Sequence, residues 1–169
     1  MLLVLGDSYA DHLRSRSMPT GLVSTYGWRG ACVGDDAFRI WAIRQAVLLR
    51  PRRVMLMVGG NDLAKPLFRP RLLFSQLREL ALGLLAAGAD SILILPLPPR
   101  VRLRGNDVSP GRYQRRRWMA NRLLRHKFRR PPVVCVDFVH HASFLSADGV
   151  HPSETGWCAM VACVRAHVA

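Results

Sequence analysis

The sequence predicts a three-layer α/β/α sandwich of flavodoxin type, built on a five-stranded parallel sheet. Two observations predict it. Short apolar runs, several rich in β-branched residues, recur at residues 2–5, 22–25, 53–58, 91–95 and 133–137. Helix-length segments separate them, which is the pattern of a parallel sheet covered on both faces. In such a sheet the ligand crevice lies beyond the carboxyl ends of the strands, so functional residues are expected directly after the apolar runs.

The helices follow from periodicity and from stop signals. Residues 37–49 place Phe38, Ile40, Trp41 and Val47 at spacings suited to one helical face, and 72–87 do the same with Leu73, Leu77, Leu80 and Leu84 before Gly88 ends the helix. A third helix covers 113–127, with Trp118 and Leu124 expected toward the sheet and most of its arginines outward. A last helix runs over 154–166, with Ser153 as its N-cap.

The 169 residues fit one domain, 1–169, with a single core. The only apolar stretch near the N-terminus is far shorter than a signal sequence or a membrane span. A strand beginning at residue 2 is what a domain excised from a longer polypeptide would show. Cys32, Cys135, Cys158 and Cys163 form no C-x-x-C pair and no metal-ligand spacing, so free thiols and an intracellular, reducing location are expected. His140 and His141 beside Asp137 likewise lack metal-ligand spacing, and no cofactor is implied.

Three motifs carry chemistry. The first run ends in Gly6-Asp7-Ser8-Tyr9, the third in Gly59-Gly60-Asn61-Asp62, and Asp148-Gly149-Val150-His151-Pro152 stands just before the last helix. Singly each has an ordinary structural explanation: a serine cap, an Asn-Asp turn, a surface loop. Together they supply what acyl transfer needs. A serine hydroxyl is a poor nucleophile without an imidazole base, the base needs a carboxylate to hold its tautomer, and an asparagine amide is a neutral donor for an oxyanion.

In this order along the chain, the three motifs resemble the SGNH or GDSL serine esterase superfamily, from Gly6 to about Gly156. The resemblance implies the SGNH hydrolase fold and an acyl- or acetyl-ester hydrolase, with Ser8 as nucleophile, His151 as base and Asp148 as its orienting acid. It also implies an oxyanion hole made by the Ser8 N–H, the Asn61 amide and a glycine N–H. That glycine is Gly30, with Gly27 and Gly34 as close rivals. Tyr9 stands where the family often has leucine. The phrases at 58–63, 95–99 and 148–152 are also similar to esterase domains carried inside retrotransposon proteins of animals.

The charge is the unusual feature of the composition. Net charge is +14, and with Lys65 and Lys127 the only lysines, 23 of the 25 basic residues are arginine. Such an excess attracts polyanions, although a bias in genome base composition could also produce it. Nine basic residues crowd the segment from Arg112 to Arg130. This segment is either a solvated helix face or a phosphate-contacting surface for nucleic acid, and the latter would make the chain a binding module on an esterase scaffold. With no RNA-recognition aromatic motif beside it, little base stacking is expected.

Overall fold

A computed structural model describes residues 1–16, 18–103 and 108–168. Its sheet comprises β1 (Leu2–Gly6), β2 (Val23–Gly27), β3 (Arg53–Met57), β4 (Ser91–Ile94), β5 (Arg129–Arg130) and β6 (Val133–Cys135), in the order β2-β1-β3-β4-β6-β5. Five strands are parallel, as the sequence predicts. The sixth, β5, is an addition. It turns back through Pro131 and Pro132 to run antiparallel to β6, pairing Arg129 with Val134 and Arg130 with Val133. Two exposed arginines on an edge strand are a charge that further pairing would have to bury.

The helices are α1 (Ser8–Leu13), α2 (Asp36–Leu49), α3 (Gly60–Leu63), α4 (Pro70–Ala86), α5 (Pro110–Lys127) and α6 (Glu154–Arg165). Successive side chains of a strand face opposite sides, and the core divides accordingly. Leu3, Leu5, Val54, Leu56, Ile92 and Ile94 pack with α2, α4 and α5. Leu2, Val4, Met55, Met57, Leu93 and Leu95 pack with α1 and α6. The central strands are therefore buried on both faces, which is why they appear as unbroken apolar runs.

Two helix faces differ from expectation. In α2 the buried residues are Phe38, Ala42 and Ala46, whereas Ile40 and Val47 are more than half exposed. Small alanines let the helix axis approach the sheet, and larger residues one step round the helix are left outside. In α5 the buried set is Tyr113, Arg116, Ala120, Asn121 and Leu124, and Trp118 is 60% exposed. The indole faces solvent, and an arginine takes an inner position.

These inner polar residues of α5 hold the loops at the carboxyl ends of the strands. Arg116 donates to the carbonyls of Leu63, Lys65 and Pro66 at 2.8, 2.6 and 2.8 Å, satisfying acceptors that the short helix α3 leaves free. Asn121 accepts from the Leu97 N–H at 2.8 Å and donates to the Leu97 carbonyl at 3.0 Å, while Tyr113 and Gln114 bind the carbonyls of Pro98 and Arg100. Asn121→Ala would strand the buried Leu97 N–H and should lower stability by about 2–3 kcal/mol in urea unfolding. A loss below about 0.5 kcal/mol would show that this amide does not hold the loop.

Candidate active site

The site begins where β1 leaves the sheet. A Cβ on Gly6 would lie 2.1 Å from the Met57 carbonyl oxygen, so only glycine lets β1 and β3 come this close. The chain then turns, and the Asp7 N–H donates to that same carbonyl at 3.1 Å. Asp7 caps α1 by accepting from the Tyr9 N–H at 3.0 Å, which sets half-buried Ser8 as the first helical residue.

The loop carrying Asp148 and His151 is closed at its base by a bridge between Leu145 and Pro152, and the Tyr9 hydroxyl donates to the Val150 carbonyl, tying the loop to α1. His151 thereby spans the two other residues. Its Nδ1 lies 2.7 Å from Asp148 Oδ2 and its Nε2 lies 3.1 Å from Ser8 Oγ. Partial burial opposes charge on Asp148. The Val150 N–H, the His151 ring, the His151 N–H and the Ser146 hydroxyl outweigh it and hold the carboxyl well below the usual range. An ionised Asp148 assigns the proton of neutral His151 to Nδ1 and leaves the Nε2 lone pair facing Ser8.

Asn61 sits in α3, directly beyond β3. Its Nδ2 donates to the Ala31 carbonyl at 2.9 Å and lies 3.4 Å from Asp7 Oδ2, and its Oδ1 accepts from Arg100 Nη1 at 3.0 Å. A carbonyl on one side and a guanidinium on the other fix the orientation of the amide. Arg100 is a site residue that the sequence reading missed. It is 7% exposed, and a Cβ on Gly60 would come within 2.9 Å of its Nη2. It follows Pro98-Pro99, six residues beyond the end of β4, and that setting does not mark it off from the other arginines.

Asp62, also missed, is buried and accepts from the Val33 N–H at 3.1 Å, folding the 28–35 loop onto the end of β3. Of the three candidate glycines, Gly34 packs against Gln76 and Gly27 against Asp11. Gly30 is exposed, has open space where a Cβ would stand, and adjoins Ala31, the residue that touches Asn61. Among the described residues no group of three or more His, Cys, Asp or Glu is placed to hold a metal, and all four cysteines are free. His140 instead bonds the Pro96 carbonyl at 2.8 Å. No helix among the described residues is long and apolar enough to cross a membrane.

Burial pushes the Asp7 carboxyl up to about 6, against the opposing pull of the Tyr9 N–H and the Arg100 charge. A carboxyl raised in the folded state adds stability that is complete below its unfolded value, about 3.9, and is lost as pH rises through about 6. Asp7→Asn should therefore gain on the order of 2 kcal/mol over wild type at pH 8 and almost nothing at pH 4, as read from urea unfolding at both values. An equal difference at the two pH values would mean that Asp7 does not titrate in this way.

The model of the GDSL-like lipase/acylhydrolase family matches residues 4–157. The fold is similar to that of a GDSL-like lipase from Bacteroides thetaiotaomicron, with a TM-score of 0.72 at 14% identity over 99% of this chain and 86% of that one. A lipase/acylhydrolase from Enterococcus faecalis gives 0.69 at 16% identity over 99% and 94%. An acetylxylan esterase from Geobacillus stearothermophilus gives 0.65 at 19% identity over 99% and 93%, and variants of it described as catalytic mutants replace a serine or an aspartate by alanine. A search of curated protein sequences returns no match. With the family model spanning all but the ends of the chain, the protein belongs to the GDSL-like lipase/acylhydrolase family.

Proposed function

We propose that the protein is a serine ester hydrolase that works through an acyl-Ser8 intermediate. The observation that carries this reading is the continuous hydrogen-bonded chain from Ser8 Oγ through the His151 ring to Asp148. Ser8 Oγ attacks the acyl carbon while His151 Nε2 takes its proton, and Asp148 steadies the imidazolium that results. The tetrahedral oxyanion is held by the Ser8 N–H, the Gly30 N–H and Asn61 Nδ2, which exchanges its long 3.4 Å contact with Asp7 for the oxyanion. His151 then gives the proton to the departing alcohol, and the acyl-serine forms. A water molecule, deprotonated by the same imidazole, attacks the acyl carbon, and the second tetrahedral species collapses as His151 returns that proton to Ser8 Oγ, releasing the acid. The base must be neutral to act, so turnover falls on acidification.

Arg100 acts on this machinery through Asn61. Its guanidinium draws electron density toward Asn61 Oδ1, making the Nδ2 hydrogens better donors, and it prevents the amide from turning its oxygen toward the oxyanion. Arg100 is a positioning residue.

The loops that follow the strands are too short to wall a deep apolar tunnel beside Ser8, so small acyl groups suit this site better than long ones. The resemblance of three short phrases to retrotransposon esterase domains adds no residue to the reading.

Hydrolysis of a chain-length series of p-nitrophenyl esters tests the proposal. Acetyl esters should turn over faster than dodecanoyl esters. Ser8→Ala should abolish hydrolysis with a stability change on the order of 1 kcal/mol at most. Wild-type turnover by that variant would remove Ser8 from the mechanism. Asn61→Ala should lower kcat by roughly 10²–10³ with little change in KM. Arg100→Met should lower kcat in the same sense by about ten-fold, and Arg100→Lys should recover part of it. A change confined to KM in both Asn61 and Arg100 variants would make them binding residues instead.

A further inference from the structure

The exposed face of α5 has no place in ester hydrolysis. Trp118 is 60% exposed and Met119 44%, in a molecule whose other tryptophans are better covered. The two residues form a ridge between two grooves. One groove, of about 930 Å³, is lined by Trp118, Met119, Arg117, Arg122, Arg125 and Arg129. The other, of about 690 Å³, lies on the opposite side of the ridge beside Arg112, Arg115 and Arg116. Among the described residues, no Asp or Glu lines either groove.

The spacing produces this arrangement. Arg115, Trp118, Met119, Arg122 and His126 stand at helical positions i, i+3, i+4, i+7 and i+11, so they share one stripe. The helix itself contains no acidic residue. The ion pairs among the described residues use Arg16, Arg29, Arg39, Arg52, Lys65 and His151, and none reaches α5. Like charges set close along one helix repel one another, and a polyanion relieves that repulsion. The Arg122 guanidinium lies 5.3 Å from the centroid of the Trp118 ring, a planar cation against a planar π-system.

We infer that this ridge and its grooves bind single-stranded nucleic acid, with bases stacked on Trp118 and phosphates held by the exposed Arg112, Arg115 and Arg122. Base–aromatic stacking tolerates any sequence, and arginine forks match phosphate oxygens. In a duplex the bases are already stacked on each other, so an indole ridge has no face to meet. An anionic lipid surface is the weaker fit. A helix that lies in a membrane interface carries a continuous apolar face, whereas the exposed side of α5 offers a two-residue apolar ridge hemmed by arginines.

The test separates charge from stacking. Binding of fluorescein-labelled dT 12-mer, and of an abasic 12-mer with the same phosphates and no bases, is followed by anisotropy at about 50 mM salt. The wild type should bind dT 12-mer about ten-fold more tightly than the abasic strand. Trp118→Ala should lose that preference while keeping its affinity for the abasic strand and its Tm, and Trp118→Phe should recover most of the preference. Arg115→Glu combined with Arg122→Glu should weaken both strands at least ten-fold. Equal binding of the two strands by wild type would overturn the inference, as would absence of binding to either or a Trp118→Ala variant that retains the preference. Co-sedimentation with phosphatidylserine vesicles when neither strand binds would assign the surface to lipid instead.

Discussion

The contact between Gly6 and Met57 is the constraint on which the site rests. Two central strands lie so near each other there that one added methyl group would collide with a backbone carbonyl that has no freedom to move. Because β1 must leave the sheet at this point, Asp7 turns inward and Ser8 emerges at the first position of α1. The same closeness sets Asn61, one turn beyond β3, against Asp7 and the Ala31 carbonyl. A buried acid is the cost of this geometry. It is met by the Tyr9 N–H, the Asn61 amide and the nearby positive charge of Arg100.

Helix α5 braces the arrangement from behind. Asn121 and Tyr113 fix the chain at Leu97 and Pro98, that chain delivers Arg100, and Arg100 holds the amide of Asn61. Arg116 meanwhile closes the end of α3, which contains Asn61 itself. The inner face of α5 therefore works as a set of hydrogen-bonded struts more than as a greasy stripe. Its low apolar content follows from that role, because a leucine at 116 or 121 would leave carbonyls or an N–H buried and unpaired.

The sequence revealed those parts of the protein that local patterns encode. Each central strand is a run buried on both sides, and glycine- or proline-marked segments after a run or before a helix carry Ser8, Asn61, Asp148 and His151. Parts set by tertiary packing stayed hidden. Arg100 and Arg116 are two of 23 arginines, and nothing in their neighbours distinguishes a buried arginine from a solvated one. Asn121 lies mid-helix, where an asparagine is an unremarkable polar residue until the loop it braces is seen. Size misled in α2, where close packing of helix on sheet selects Ala42 and Ala46 over the larger Ile40 and Val47. The strand β5 is two residues long and purely basic, too short and too polar to register as a strand.

The surroundings of Asp148 suit the imidazole base proposed for His151 in a chain of net charge +14. An arginine beside the carboxylate would hold it ionised with ease, and arginines are abundant here. Among the described residues, every hydrogen bond to Asp148 nevertheless comes from an uncharged backbone N–H, from the Ser146 hydroxyl or from His151 itself. The proposed reaction gives the reason. His151 becomes a cation in each half of the cycle, and a second cation 4 Å away would cost that state about 4 kcal/mol at an effective dielectric of about 20. Neutral donors keep Asp148 negative at no such cost, so its whole charge remains available to the imidazolium. Arg100 meets the opposite requirement. It binds the oxygen of the Asn61 amide, whose nitrogen faces the oxyanion in the proposed reaction, and a cation there strengthens that donor.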